Sequence, residues 1–197
     1  ITCSRLAQGT GMKGGRRQSN HTRMGFEALV KLFLHGHERG ISFFDLADMY
    51  GSHVYFREAL RHIPRDKVAI LTKLWWRFDG KPDETSADFK SRSCQTAIER
   101  FLTEIATDRL DIVLLHCVTT ENWDQELEPY MKTLSEAKQK GTIRAAGVSC
   151  HGLEALKKAA EHPWVDVLLA RINPKGAKMD APVDEVLPVL RRAKANG

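Results

Sequence analysis

Apolar positions along the chain follow two periods, and they predict a regular order of elements. Residues 3–9 predict a short first strand, followed by a glycine-rich loop at positions 9, 11, 14 and 15. Between residues 22 and 39, Phe26, Leu29, Val30, Phe33 and Leu34 recur at helical spacing, and Gly40 stops the run. A second strand is expected over 41–45, and a helix over 54–62 that ends near Pro64. The partly β-branched run 67–73 predicts a third strand, and a polar loop over 75–86 with Gly80 and Pro82 follows it. A long amphipathic helix is expected over 88–107, with Ile98, Phe101, Leu102 and Ile105 as its stripe. Strands are then expected at 110–116, 143–149 and 164–172. Helices are expected at 123–140, 152–160 and 183–195, with Pro188 in or near the first turns of the last.

Strand and helix therefore alternate six times, with strands apolar on both faces. That pattern belongs to a parallel sheet covered by helices. An open doubly wound sheet and a (β/α)8 barrel both fit. The dinucleotide fingerprint Gly-x-Gly-x-x-Gly is not convincingly formed, because Gly9-x-Gly11 runs on into Lys13 and Gly14 and the loop to the helix is too long. A barrel takes about 250 residues and eight units. The 197 residues therefore read as one domain, 1–197, an incomplete (β/α)8 TIM barrel of about six units whose C-terminal units are missing or not covered.

Composition narrows the function classes. Apolar residues make up 42% and charged residues 28%, as in a soluble globular protein. No apolar run approaches the roughly 20 residues of a membrane helix, so no membrane partner is expected. The net charge is +5, but the basic residues alternate with acidic ones. Lys13, Arg16, Arg17, His21 and Arg23 form a local cluster, read as a solvated loop ahead of an anion-binding one. No aromatic residues interleave with it, which argues against a nucleic-acid partner. Cys3, Cys94, Cys117 and Cys150 are widely spaced with no CxxC. Zinc and iron–sulfur spacing is thus absent and no metal site is expected. Unpaired thiols point to a reducing, cytoplasmic setting. The first residues show no signal-peptide pattern, although export with a removed leader is the alternative, since no Met begins the chain.

Four polar groups fall at or near the C-terminal ends of consecutive expected strands: Asp45 with Tyr50, Lys73, and His116. Neighbouring parallel strands would bring them into one pocket. A phenol has a pKa near 10. An adjacent ammonium would lower it, Asp45 would keep Lys73 charged, and His116 would hydrogen-bond a substrate oxygen. Such a set moves a proton to or from a carbonyl or alcohol oxygen. The competing reading is a strand end whose polar residues cap the next helix.

The motifs Phe44-Asp45-Leu46-Ala47-Asp48-Met49-Tyr50-Gly51, Leu71-Thr72-Lys73, Leu114-Leu115-His116 and Gly141-Thr142-Ile143-Arg144-Ala145-Ala146-Gly147-Val148-Ser149 resemble the aldo-keto reductase family. Both the Asp-to-Tyr spacing and the order of the motifs agree, over essentially the whole chain. The resemblance implies a TIM barrel and NADPH-dependent reduction of a small-molecule carbonyl substrate, with NADH as the other nicotinamide cofactor. It implies Tyr50 as general acid, tuned by Lys73 and Asp45, with His116 orienting the carbonyl. It also implies cofactor contacts at Gly9, Thr10, Asp45, Ser149, Cys150 and Leu169.

The chain departs from the family pattern in places. Cys150 stands where the family has Asn, Leu169 where it has Gln, and Gly11 where it has an aromatic. A thiol cannot reproduce an amide's paired hydrogen bonds. Trp75 and Trp76 are candidate walls of a substrate pocket, with packing under the loop as the other reading. Asp48 reads as a cap or solvated residue, and His53 and His151 as surface residues. A non-catalytic cofactor-binding barrel, acting as a sensor or partner subunit, is the alternative function. A metal-dependent hydrolase ranks third, because Lys73 would repel a metal.

Overall fold

The computed structural model describes residues 1–77 and 85–196. Six strands form one sheet: β1 (Ala7–Gly9), β2 (Phe43–Asp45), β3 (Ala69–Leu74), β4 (Leu110–Val118), β5 (Ile143–Cys150) and β6 (Val167–Leu169). All five pairings are parallel and run in chain order, β1-β2-β3-β4-β5-β6. A doubly wound sheet reverses its order at a switch point. This one does not, and it curls into a half-barrel of the (β/α)8 kind. The helices are α1 (Phe26–Glu38), α2 (His53–Ala59), α3 (Ala87–Ile105), α4 (Trp123–Glu126), α5 (Glu128–Gln139), α6 (Leu153–Glu161) and α7 (Val183–Ala195). Among the described residues, no helix is long and apolar enough to cross a membrane.

Strand alternation sorts side chains onto two faces. Phe44, Ile70, Val113, Leu115, Ala146 and Val148 point to the helix layer and join its aromatic and aliphatic core. There Phe33, Phe44 and Phe56 meet edge-to-face or tilted, with ring centroids 4.7–5.8 Å apart. Leu71, Ile112, Leu114 and Ala145 form a smaller cluster on the concave face, with Phe43, Val167 and Leu169 against it. By the same parity Asp45, Lys73, His116 and Ser149 continue those concave rows towards the strands' C-terminal ends.

The opposite end of the sheet is held by two carboxylates, one buried and one exposed. Asp111 is 2% exposed; it accepts from the backbone N–H of Ile70 at 2.9 Å and pairs with Arg65 at 2.7 Å and Arg144 at 3.1 Å. Asp166 accepts from the N–H of Ala146 at 2.9 Å.

Several boundaries differ from the sequence expectation. β1 holds three residues because the chain before it follows β2 through side chains: Ser4 N–H donates to Ser42 Oγ, and Ser42 N–H to Ser4 Oγ, at 2.8 and 2.9 Å. β6 likewise shrinks to three residues. The helix expected over 22–39 breaks at Gly25 (φ 95°), leaving a 3₁₀ turn at Thr22–Met24 ahead of α1. The helix expected over 123–140 breaks at Leu127, just before Pro129, into α4 and α5. Helix α7 runs straight through Pro188. The loop expected over 75–86 is described only at its ends; Gly80 and Pro82 lie outside the described residues.

One close approach fixes the β5–β6 junction. A Cβ on Gly147 would lie 1.9 Å from the carbonyl oxygen of Val167, so backbone would have to move. Gly147→Ala in the full-length protein should therefore lower stability by about 1–3 kcal/mol, as overpacking does. Urea denaturation measures this, and an unchanged midpoint would contradict the packing described.

Candidate active site

Tyr50 is placed by three local features. β2 ends at Asp45, a 3₁₀ turn spans Asp48–Tyr50, and Gly51 follows in the left-handed region (φ 65°). Only a glycine fits there, since a Cβ would lie 2.1 Å from the Arg17 carbonyl oxygen. The loop after β1 then folds over the phenol. Gly11 and Gly14 lie so close to the Tyr50 ring that a Cβ on either would come within 2.4 Å of it. Gly11, which replaces the aromatic of the family pattern, thus leaves room for Tyr50 itself.

Lys73, the fifth residue of β3, is 2% exposed. Its ammonium donates to Asp45 Oδ1, and to the carbonyl of Leu46 at 3.1 Å. It also lies 5.2 Å from the centroid of the Tyr50 ring. Burial lowers the Lys73 pKa, and the Asp45 charge and hydrogen bond oppose that. The expectation that the ammonium would lower the phenol pKa is corrected by this arrangement. Burial and the neighbouring Asp45 carboxylate both disfavour a phenolate, and the Tyr50 pKa is raised.

His116 sits 5% exposed on β4, with Nε2 3.3 Å from the Tyr50 hydroxyl and the two rings edge-to-face. Burial first, then the charges of Lys73 and His151, lower its pKa to about 3. The ring is therefore neutral at physiological pH, with one N–H to place. Nδ1 is buried without a partner among the described residues. An orphaned buried donor is costlier than an orphaned acceptor, which favours the proton on Nε2, facing Tyr50. Trp76 Nε1–H donates to the His116 carbonyl at 2.7 Å, and the Trp75 ring stands edge-to-face to the imidazole at 5.8 Å. Both tryptophans thus brace His116.

The strand continues past His116 with a kink. Cys117 has φ 60°, and the β4–β5 register shifts between Leu115 and Val118. A non-glycine residue in that region costs of order 1–3 kcal/mol. It is held by its N–H to Ser149 Oγ at 3.0 Å, and by Arg77 on its carbonyl at 3.2 Å. Its thiol lies 3.5 Å from His151 Nε2.

The remaining candidates divide. Ser149 reaches the concave face, where its Oγ accepts from the Cys117 N–H and its O–H meets no acceptor among the described residues. Nothing lies within 4 Å of a Cβ built on Gly9, which leaves open space at that strand end. Leu169 is half-buried on the same face. Thr10 is fully buried, its hydroxyl engaged with the Asp45 carbonyl at 2.8 Å and Ser52 Oγ at 3.0 Å. Cys150 packs into the helix-side core at 2% exposure, away from the others. Among the described residues, no cluster of three or more His, Cys, Asp or Glu could hold a metal.

His53, expected on the surface, is 2% exposed. It bridges Glu104 (Nδ1, 2.7 Å) and Thr72 Oγ1 (Nε2, 2.8 Å). Asp48 is not merely solvated, because Arg100 donates to it at 2.8 Å. Glu104 and Arg100, which the sequence did not single out, and Arg17, read there as part of a solvated loop, meet around the Tyr50 turn. The Arg100–Glu104 pair at i, i+4 is a visible signal, but its partners lie far away in the chain.

A curled parallel sheet in chain order, with Asp45, Tyr50, Lys73 and His116 at or beside its C-terminal rim, is the framework of an incomplete (β/α)8 barrel. The sequence model of the Aldo/keto reductase family matches residues 5–192, and the chain belongs to that family. Probable aldo-keto reductase 1 of Glycine max is 29% identical over 141 residues, 68% of this chain and 39% of that protein. Uncharacterized oxidoreductase YqkF of Bacillus subtilis is 30% identical over 157 residues, 78% of this chain and 48% of that protein. The chain thus spans less than half the length of these curated relatives. Among solved structures, a putative aldo-keto reductase from Pseudomonas aeruginosa superposes with TM-score 0.75 at 23% identity, over 100% of this chain and 70% of that one. An aldo-keto reductase from Klebsiella pneumoniae in complex with NADPH does so with TM-score 0.61 at 22% identity, over 95% and 60%. These structural likenesses carry the fold.

The buried, neutral His116 has a consequence that needs no substrate. As pH falls below the ordinary histidine value towards 3, the unfolded chain takes up a proton that the folded chain refuses, so this residue makes stability fall with acidification. Its ring resonances in the full-length protein should stay unshifted from about pH 8 to about pH 5, where an unperturbed imidazole titrates. Imidazole NMR with His116→Gln for assignment tests this, and a midpoint near 6.5 would refute the burial argument.

Proposed function

We propose that the protein containing this chain reduces an aldehyde or ketone to an alcohol with a nicotinamide cofactor, NADPH ahead of NADH, and with Tyr50 as proton donor. The observation that carries this is the convergence of Tyr50, Lys73, Asp45 and His116 on one rim of the concave face, Tyr50 in contact with His116 and Lys73 with Asp45. When bound, a nicotinamide cofactor would supply the hydride for the carbonyl carbon. Ser149, with a free O–H, and the open space at Gly9 fit its nicotinamide end, whereas Leu169 and Cys150 offer it no paired hydrogen bonds.

The residues handle the proton. Burial and Asp45 keep the phenol protonated, so Tyr50 is loaded as an acid. As charge builds on the carbonyl oxygen, the Tyr50 O–H and a His116 Nε2–H can both donate to it. When the proton leaves, the Lys73 ammonium beneath the ring stabilises the phenolate. Asp45 anchors that ammonium, and Trp75 and Trp76 wall the approach. The substrate is a small molecule. A cytoplasmic setting agrees with four free thiols.

Cys150 in the core and the apolar Leu169 favour a second reading, a cofactor-binding barrel without turnover. The two readings separate in one experiment on full-length protein, NADPH titration by fluorescence followed by assay with small aldehydes. Tyr50→Phe should lower kcat by about 100-fold or more while leaving NADPH affinity within about twofold. Retained activity in that variant would sink the assignment, and tight binding without turnover in the parent would favour the sensor.

A further inference from the structure

Beside the turn that carries Tyr50, a second group of charged residues meets at Glu104 of α3. Its Oε1 accepts from Arg17 and, at 3.2 Å, from Arg100; its Oε2 lies 2.7 Å from His53 Nδ1. Each partner leads to a different flank of the phenol. Arg17 belongs to the loop whose Gly11 and Gly14 lie on the Tyr50 ring. Arg100 donates onward to Asp48 at 2.8 Å, the first residue of the turn that carries Tyr50. His53 reaches Thr72 at 2.8 Å, next to Lys73 on β3. Among the described residues, the ion pairs joining residues 11–25 to the rest of the chain are those of Arg17 with Glu104 and Asp48.

We propose that Glu104 is a positioning residue for Tyr50: one carboxylate that fixes the covering loop, the turn below and the strand beside the phenol. This rests on the reading of Tyr50 as proton donor. Glu104 touches no reacting atom. It stays ionised because, against the pull of burial, the bonds from His53 and Arg17 and the Arg100 charge hold its pKa at about 2. A carboxylate is the group required, since only it accepts from three cationic or N–H donors at once. Glutamine keeps the shape but offers one acceptor oxygen and introduces two N–H groups facing other donors. Arg17 and Arg100 would then lose their shared anchor, and the loop would lift from the phenol.

The test uses full-length protein carrying Glu104→Gln, Arg17→Met and both together. The proposal expects Glu104→Gln to lower kcat for a small aldehyde by about tenfold or more, with KM and NADPH affinity within about twofold. The double variant should lose no more than the worse single one, because both remove the same contact. Amide exchange at residues 11–24 and 48–51 should quicken, while β3 and β4 keep their protection. Parental kcat in Glu104→Gln, strictly additive losses, or exchange quickened equally across β3 and β4 would each overturn the assignment. If the parent protein itself neither binds NADPH nor turns over, the reductase reading falls. The exchange experiment then still decides the clamp, and unchanged exchange at 11–24 and 48–51 refutes it.

Discussion

The ammonium of Lys73 is the group around which the rest of the rim must be arranged. A lysine 2% exposed inside a sheet is costly unless its charge is met. Asp45 meets it from the neighbouring strand, and the Leu46 carbonyl adds a second acceptor. That pairing joins the C-terminal ends of β2 and β3. It also sets the field at the site: the cation contributes to keeping His116 neutral, and its counter-ion contributes to keeping Tyr50 protonated. Removing Asp45 would leave the buried Lys73 charge with only the Leu46 carbonyl to meet it, which costs more than the pair gains.

Strand parity is what allows this polar rim to coexist with a continuous apolar core. Each strand offers alternate residues to the two faces, so a single step in register would send Lys73 into the helix layer and Thr72 to the rim. The observed register avoids that. Thr72 faces the helices and finds His53, whose other nitrogen finds Glu104. Polar groups on both faces of one strand end are thus satisfied by different partners, and Tyr50 sits between the two networks.

How far all this could be read from the sequence follows from range. Strict alternation of apolar strands and amphipathic helices was enough for a parallel sheet with neighbours in chain order. The strand-end placement of Asp45, Lys73 and His116 followed, because each closes an apolar run. The short reach of β1 and β6 was not legible. It depends on Ser4 and Ser42 exchanging hydrogen bonds across 38 residues of chain, and on pairings that apolarity alone does not specify. His53 looked like a surface histidine because no residue within four of it in sequence is acidic; Glu104, its partner, is 51 residues away. Arg17 looked like part of a solvated basic loop for the same reason, with Glu104 87 residues on. Cys150 was placed by alignment to a motif, whereas parity turns its side chain into the core.

The sign of the Tyr50 shift was missed for a related reason. A sequence shows that a lysine and a tyrosine converge, but not that the carboxylate reaches the ammonium first. With Asp45 bonded to Lys73, the nearby charge is a pair, and the phenol sees burial and the anion more than the cation. That changes the division of labour. Lys73 does not ready a phenolate in the resting protein; the phenol is stored as an acid. In the proposed reduction the Lys73 ammonium, 5.2 Å from the ring centroid, would matter at the moment the proton leaves and negative charge first appears on the phenol. Tyr50 must then be held in place by something other than attraction to Lys73. The glycine-lined loop above the ring and the Asp48 turn below it provide that hold, and both trace back to charges on α3.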